Sequence, residues 1–484
     1  MTLTIISFLA VATFILNIFL AAALVFLERR DASSTWAWLL VLFFIPIAGF
    51  FIYLLLGRKL RKKTLFKWEG RTRVGIEKLI AHQMNELHDD TFYYRNDNTK
   101  EYKDLIYLHL RNNGAVLTQN NDVKIFNDGR DKFEALLEDI KGAKHHIHVQ
   151  YYIFRLDQLG TRLMDALLEK AKQGVKVRLL YDDMGSRTLS KRHFKEFNRH
   201  GGEVETFFPS KLPLINPRLN YRNHRKIVVI DGCIGYLGGF NVGDEYIGLS
   251  RKFGYWRDTH LRLEGGALHP LQTRFIRDWN QASTRQDIEY DEIYFPAMAE
   301  KGTTSMQIVS SGPDEEWEQI KDGYMKLINM ADEYIYIQTP YFIPDASFYD
   351  AIRVAALSGI DVRVMIPNKP DHPFVYWATY SYAGQLLRAG ARVFIYDNGF
   401  LHTKMILVDG KASTVGTANI DVRSFKLNFE VNAFIYDKEI SGELARQFHQ
   451  DMELSTELTM EAYYERTKMI KTKESIARLL APIL

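Results

Sequence analysis

His224 and Lys226 stand two residues apart, as do His402 and Lys404, and each lysine is followed five positions later by an aspartate, Asp231 or Asp409. Both stretches read His-x-Lys-x-x-x-x-Asp. After six intervening residues each has a small pair, one more residue and an asparagine: Gly238-Gly239-Phe240-Asn241 and Gly416-Thr417-Ala418-Asn419. Residues two apart on an extended chain point to one face, so each histidine projects with its lysine. There an imidazole can attack or protonate while an ammonium holds an anionic oxygen, the division of labour that phosphoryl transfer needs. The small pair lets backbone come close to a phosphate, and Asn241 and Asn419 each add an amide donor. One His-x-Lys on a strand is ordinarily a polar edge; two copies carrying the same tail at the same offset point to chemistry.

An imidazole that moves protons needs a third group to orient it. A carboxylate follows each motif on the next strand-like stretch, Asp258 in Trp256-Arg257-Asp258-Thr259-His260 and Glu430 in Asn428-Phe429-Glu430-Val431-Asn432. Asp231 and Asp409 lie at the far ends of the apolar runs Ile227 to Ile230 and Met405 to Val408. They are too distant to share a phosphate oxygen with the lysines and are expected to be structural, tying two halves together. His145, His146 and His148 have a metal-like spacing without an acidic or cysteine neighbour, an incomplete zinc set. Cys233, the single cysteine, excludes an internal disulfide and reads as a small core residue.

The elements that must position these groups form an internal repeat. A helix with Phe133, Leu136, Leu137 and Ile140 at helical spacing precedes a strand over His146 to Phe154, a helix over Leu163 to Lys172 and a strand over Val175 to Tyr181. The second half follows with Trp317, Ile320, Tyr324 and Ile328 on a helix, then Tyr334 to Phe342, a helix over Phe348 to Leu357, and Val362 to Ile366. Gln150 answers Gln338, Asp165-Ala166-Leu167 answers Asp350-Ala351-Ile352, and Gly174 answers Gly359. Strands alternating with helices predict an α/β layered unit, present twice.

Ahead of the repeat, no charged side chain occurs before Glu28, and a second uncharged run extends from Ala32 to Gly57. Each is long enough to cross a bilayer. The basic cluster that follows, Arg58 to Arg73 with only Glu69 against it, predicts a cytoplasmic catalytic part by the positive-inside rule. The expected organisation is two transmembrane helices over 1–57, a basic connector over 58–120, and α/β halves over 121–295 and 296–484. At 484 residues with 25% charged the chain holds sizeable cores and is not disordered, and a net charge of +3 does not advertise nucleic-acid binding. Leu212 to Ile215 is a candidate lipid-dipping loop, Tyr376 to Tyr382 a candidate groove lining, and Ile476 to Leu484 a packed tail.

The paired motifs resemble those of the phospholipase D superfamily. Arg218 to Lys226, Gly239 to Tyr246, Thr417 to Ser424 and the two apolar runs resemble, within it, the bacterial cardiolipin synthases. That resemblance spans essentially the whole chain. It departs at the small pair, usually Gly-Ser, where this chain has Gly238-Gly239 and Gly416-Thr417. The resemblance implies two pseudo-twofold-related halves whose His-Lys strands meet in one cleft, neither half active alone. It also implies His224, Lys226, Asp231, His402, Lys404 and Asp409 as the motif residues, Asp258 and Glu430 as the acids pairing the histidines, and no metal or cofactor. The implied activity is transfer of a phosphatidyl group between two phosphatidylglycerols through a phosphohistidine. A phospholipase D or nuclease using water would share the site, and an inactive scaffold would have no reason to keep both motifs.

Overall fold

In the computed structural model, which describes residues 2–26, 32–53, 71–209, 220–283, 287–297, 300–369 and 371–480, each motif run is a strand in the middle of its half. The first half contributes β1 (Thr118–Phe126), β2 (His146–Tyr151), β3 (Lys176–Asp182), β4 (Glu203–Phe207), β5 (Arg222–Asn223), β6 (Ile227–Ile230), β7 (Ile234–Gly238), β8 (Trp256–Arg257) and β9 (His260–Glu264). The second contributes β10 (Thr304–Ser311), β11 (Tyr334–Gln338), β12 (Phe342–Ile343), β13 (Asp361–Pro367), β14 (Arg392–Tyr396), β15 (Phe400–Leu401), β16 (Met405–Val408), β17 (Ala412–Gly416), β18 (Ile420–Asp421), β19 (Asn428–Ile435) and β20 (Ser455–Glu457).

The halves share one sheet. Its order, β20-β14-β13-β11-β16-β17-β19-β10-β1-β9-β7-β6-β2-β3-β4, reads nearly the same from either end, with the antiparallel β1–β10 pair at the centre. The three-strand parallel runs β2-β3-β4 and β11-β13-β14 come from the strand-helix alternation, because parallel neighbours need a crossover helix. Helices Leu268–Ala282 and Lys438–Glu453 bury Leu271, Phe275, Leu444 and Phe448 against one face of the sheet in a core that runs through both halves. The opposite faces are covered separately. Gly129–Gly142 and Gln158–Lys172 bury Phe133, Leu136, Leu163 and Leu167 in the first half, and Gln319–Asn329 buries Ile320 and Leu327 in the second. Four such apolar side chains contribute roughly 6–12 kcal/mol of gross burial to a layer, before chain entropy is set against it.

Several expectations change. β2 ends at Tyr151, three residues early, because the chain there leaves the ladder and the Ile153 and Phe154 N–H groups bond the side chains of Asn241 and Ser186 instead. Asp128 caps the helix beginning at Gly129 by accepting from the N–H of Arg130. Cys233 is exposed in the β6–β7 turn rather than in the core. The stretch read as a connector is part of the second half's core, since Leu105, Ile106 and Leu110 pack with Val309, Ile320 and Tyr324. Gln83 exchanges two hydrogen bonds of 3.0 Å with the backbone of Leu117.

At the N-terminus, helices span Thr2–Phe26, Ala32–Phe44 and Pro46–Ile52, and Leu24, Trp38, Leu42 and Tyr53 form a small cluster among them. Among the described residues no helix is long and apolar enough to cross a membrane, so the two expected spans are not shown. The cluster Arg58 to Lys67 and the loop Leu212 to Ile215 lie outside the described residues, as do residues 481–484 of the tail. The described part of the tail is the helix Lys468–Leu480, whose Ala477 packs against Ile343 and Ala378.

Candidate active site

The ladders of β6 and β16 begin one residue after each motif lysine. His224 and His402 therefore lie ahead of the strands, on short extended stretches that cross to the other half. β5 runs parallel to β19, with Arg222 opposite Asn428, and β15 runs parallel to β8, with Phe400 opposite Trp256. The backbone N–H of His224 donates to the Phe429 carbonyl at 2.9 Å and that of His402 to the Arg257 carbonyl at 2.7 Å. Each histidine is thus fixed by the half it does not belong to.

The carboxylates complete the exchange. His224 Nδ1 is 3.0 Å from both Oε1 and Oε2 of Glu430, and His402 Nδ1 is 2.6 Å from Oδ2 of Asp258. Both acids are fully buried. Glu430 is held by the Thr417 hydroxyl at 2.6 Å and the Asn428 amide at 3.2 Å, Asp258 by its neighbour's N–H at 2.8 Å. The second residue of each small pair stands against these acids. A Cβ on Gly239 would fall 1.9 Å from Asp258 Oδ1, and one on Gly416 would fall 2.3 Å from the Asn432 amide. Thr417 occupies the place equivalent to Gly239, and its hydroxyl bonds the longer glutamate. Gly239 instead leaves the shorter aspartate room.

Burial, with Lys404 behind it, pulls His402 down to about 4, and burial likewise lowers His224. Burial pushes the two carboxylates up, but Lys404 and His402 beside Asp258, and His224 beside Glu430, outweigh it and leave both below the usual range. The resting pairs are therefore neutral imidazoles giving Nδ1–H to carboxylates, with each Nε2 lone pair available. Lys226 and Lys404 are buried under the histidines, and each ammonium donates to the carbonyl of its own histidine, Lys226 at 2.6 Å. Burial lowers Lys226 to about 7 and Lys404 to about 8. An arriving phosphodiester would restore their charge.

Asp231 and Asp409 do not tie the halves together. Asp231 accepts from the N–H groups of Lys144, His145 and His146 at 2.7–2.9 Å, and Asp409 from those of Asp332, Glu333 and Tyr334 at 2.8–2.9 Å. Each pins the start of the neighbouring strand within its own half, from a backbone φ of 53°. Asn241 and Asn419 do reach the cleft. Asn241 Oδ1 accepts from the Ile153 N–H at 3.0 Å and its amide donates to the Tyr246 hydroxyl at 3.2 Å, while Asn419 Oδ1 is buried with no hydrogen-bond partner among the described residues. His146 and His148 are core residues that bond Gln272, and no cluster of three metal-ligating side chains occurs among the described residues.

Two buried arginines were not singled out in the sequence. Arg225 donates from Nη1 to both carboxylate oxygens of Asp278 at 2.6 and 2.8 Å and from Nε to the Glu430 carbonyl at 3.0 Å. Arg257 pairs with Asp451 at 2.9 Å and donates to the Asp258 carbonyl at 2.6 Å. Gln150 and Gln338 bond the same two aspartates at 2.7 and 2.8 Å. The matched glutamines of the repeat were the visible trace of these networks. Between the halves opens a cleft of about 620 Å³, lined by both motif histidines, both asparagines, Tyr152 and Tyr341 among others. Two oriented imidazoles facing one cavity over two buried ammoniums can carry out displacement at phosphorus in two steps.

Comparison with known proteins gives a consistent picture. A model described as cardiolipin synthase, phospholipase D-like domain, matches twice, over residues 136–262 and 324–452. A second, described as phospholipase D-nuclease N-terminal, matches residues 15–58. The chain is 62% identical over 471 residues to the major cardiolipin synthase ClsA of Bacillus subtilis (strain 168), covering 97% of this chain and 98% of that one. It is 59% identical over 478 residues to a cardiolipin synthase of Listeria monocytogenes serotype 4a (strain HCC23), covering 99% of each. Among solved structures, phosphatidylserine synthase of Haemophilus influenzae Rd KW20 has a TM-score of 0.61 at 14% identity, covering 80% of this chain and 100% of that one, a likeness of fold.

Proposed function

The chain belongs to the cardiolipin synthase family of phospholipase D-like enzymes, and we propose that it joins two phosphatidylglycerols at the surface of a membrane that it is anchored in. The observation that carries the chemistry is the crosswise pair of dyads, His224 with Glu430 and His402 with Asp258, opening on one cleft. One imidazole Nε2 attacks the phosphorus of the donor lipid. The bond to the headgroup glycerol breaks, and that oxygen takes a proton from the opposite imidazole, made cationic beside its carboxylate when the phosphate arrives. The hydroxyl of a second phosphatidylglycerol then gives its proton to this imidazole and attacks phosphorus, the P–N bond breaks, and cardiolipin leaves. Lys226 and Lys404 supply positive charge where negative charge builds up, with Asn241 and Asn419 on the cleft walls.

Membrane anchoring rests on the uncharged runs and on the apolar side chains that the N-terminal helices leave exposed, among them Phe8, Phe19, Phe26, Phe43 and Phe44. The basic cluster after Gly57 supports a cytoplasmic side for the catalytic halves. A phosphohistidine yields to any oxygen nucleophile, so a transferase must exclude water and draw its acceptor from the bilayer. The test is purified protein in phosphatidylglycerol vesicles with products separated by mass: cardiolipin and glycerol are expected. Phosphatidic acid as the main product would replace this reading with a water-using phospholipase. A reporter at Leu484 accessible from outside intact cells would overturn the topology.

A further inference from the structure

The two histidines are equivalent, but their surroundings are not. Two residues before each histidine stand Arg222 and Phe400, and four after each motif asparagine stand Arg423 and Glu245. Across the short parallel ladders Arg222 faces Asn428, whereas Phe400 faces Trp256. Superposing the halves by their motifs therefore matches an arginine to an aromatic ring, an amide to a second aromatic ring, and another arginine to a carboxylate.

The end of the cleft around His402 is built of rings. Trp256 lies 5.1 Å from the His402 imidazole and 4.8 Å from the Phe400 ring. Glu245 there is already paired with Arg155 at 2.9 Å. The end around His224 is cationic. Arg222 and Arg423 both line the cleft beside Tyr152, whose ring is 4.9 Å from that of His224. Arg423 donates to the Asn220 carbonyl at 2.8 Å, which brings it from the second half onto the chain leading into Arg222. The adjacent carboxylates, Asp182 and Asp421, attract these guanidiniums and are also held by backbone. Asp182 accepts from the N–H groups of Met184, Gly185 and Asn223 at 2.8–3.1 Å, and Asp421 caps the following helix through the Ser424 N–H at 2.6 Å. Burial, with Arg222 beside it, lowers Arg423, so an anion bound between the two guanidiniums would ease their mutual repulsion.

We infer that Arg222 and Arg423 form a second phosphate subsite, which holds the phosphodiester of the acceptor lipid while its glycerol hydroxyl reaches the phosphohistidine. The inference rests on the phosphatidyl-transfer reading above. Its logic is that the reaction brings two phosphodiesters into one cleft, separated in the product by a three-carbon glycerol. The first sits between the histidines over Lys226 and Lys404. The second needs a site one glycerol away, and guanidiniums suit a phosphodiester because their paired donors match its two free oxygens. At the ring-lined end the cleft has Arg155, already paired with Glu245, and Lys252, a single ammonium over the Phe253 ring, so among the described residues no pair of guanidiniums stands there. The donor's departing glycerol carries no charge, so the first half-reaction does not use the subsite.

The test compares two acceptors at one phosphohistidine. Full-length protein in phosphatidylglycerol vesicles is given labelled glycerol. Cardiolipin formation then reports the anionic acceptor, and label entering phosphatidylglycerol reports the neutral one. In Arg222→Gln and Arg423→Gln the ratio of cardiolipin to exchanged glycerol should fall by about tenfold or more, the loss of one charge-assisted contact. Arg222→Lys and Arg423→Lys, which keep the charge, should recover much of that ratio and guard against variants that fail to fold. An unchanged ratio in the folded variants would overturn the subsite. Wild-type protein forming neither cardiolipin nor exchanged lipid would instead overturn the transferase reading.

Discussion

Both carboxylate oxygens of Glu430 lie 3.0 Å from Nδ1 of His224, a residue 206 positions earlier in the chain. Asp258 reaches forward to His402 in the same way, so each half carries the histidine of one dyad and the acid of the other. The active site is therefore an interface property, and the sheet that runs unbroken through β1 and β10 is what keeps the interface in register.

Separated halves, divided between Tyr294 and Thr304, should each be inactive on phosphatidylglycerol vesicles. Glu430→Gln and Asp258→Asn should lower kcat by about a hundredfold or more, with less change in KM, because an amide no longer fixes the Nδ1–H tautomer. Steady-state rates for both variants decide this, and wild-type kcat in either would remove that acid from the mechanism.

Gly239→Ser puts a Cβ where Asp258 Oδ1 now lies, 1.9 Å away by geometry. The acid must move, and His402 loses its partner. Activity should fall about tenfold or more while the fold survives, as read by kcat beside a melting curve.

The free enzyme should titrate through its buried cations. Burial depresses Lys226 to about 7 and Lys404 to about 8, so their charge is lost at lower pH than an ordinary lysine's. kcat/KM should therefore fall as pH rises through about 7–8. At the acid end it should fall once both imidazoles have gained protons, His402 at about 4, because the attacking histidine then has no lone pair. A bound phosphodiester raises the lysines again, so the alkaline limb of kcat should lie at higher pH than that of kcat/KM. Coincident limbs in a pH-rate series would contradict this.

Asp231 and Asp409 should matter for stability rather than turnover. Asp231→Ala removes the acceptor of three N–H groups and places alanine at φ 53°, a loss of roughly 3 kcal/mol. Asp231→Asn keeps one acceptor oxygen and tolerates the left-handed backbone, so it should lose about 1 kcal/mol. Denaturant midpoints test the order, and kcat per folded molecule should stay near wild type in the asparagine variant.

The sequence by itself determined the chemistry and the doubling. The spacing of His224, Lys226, His402 and Lys404 is local, as are the apolar runs that make β6 and β16 and the periodicity of the flanking helices, and local patterns survive in one dimension. Asp258 and Glu430 could be named because each follows its motif on the next strand. Tertiary structure alone decided the crossing, because which acid meets which histidine depends on how the two halves face each other. The burial of Arg225 and Arg257 depends on the same packing, so nothing at their own positions marks them. The motif aspartates were misplaced for a related reason: a carboxylate at a strand end can cap its own half or bridge to the other, and only the turn ahead of β2 and β11 selects the first. The segment 71–117 looked like a linker because its apolar residues are sparse, and it belongs to the second half because those few, Leu105, Ile106 and Leu110, meet a surface that exists only once the sheet has formed.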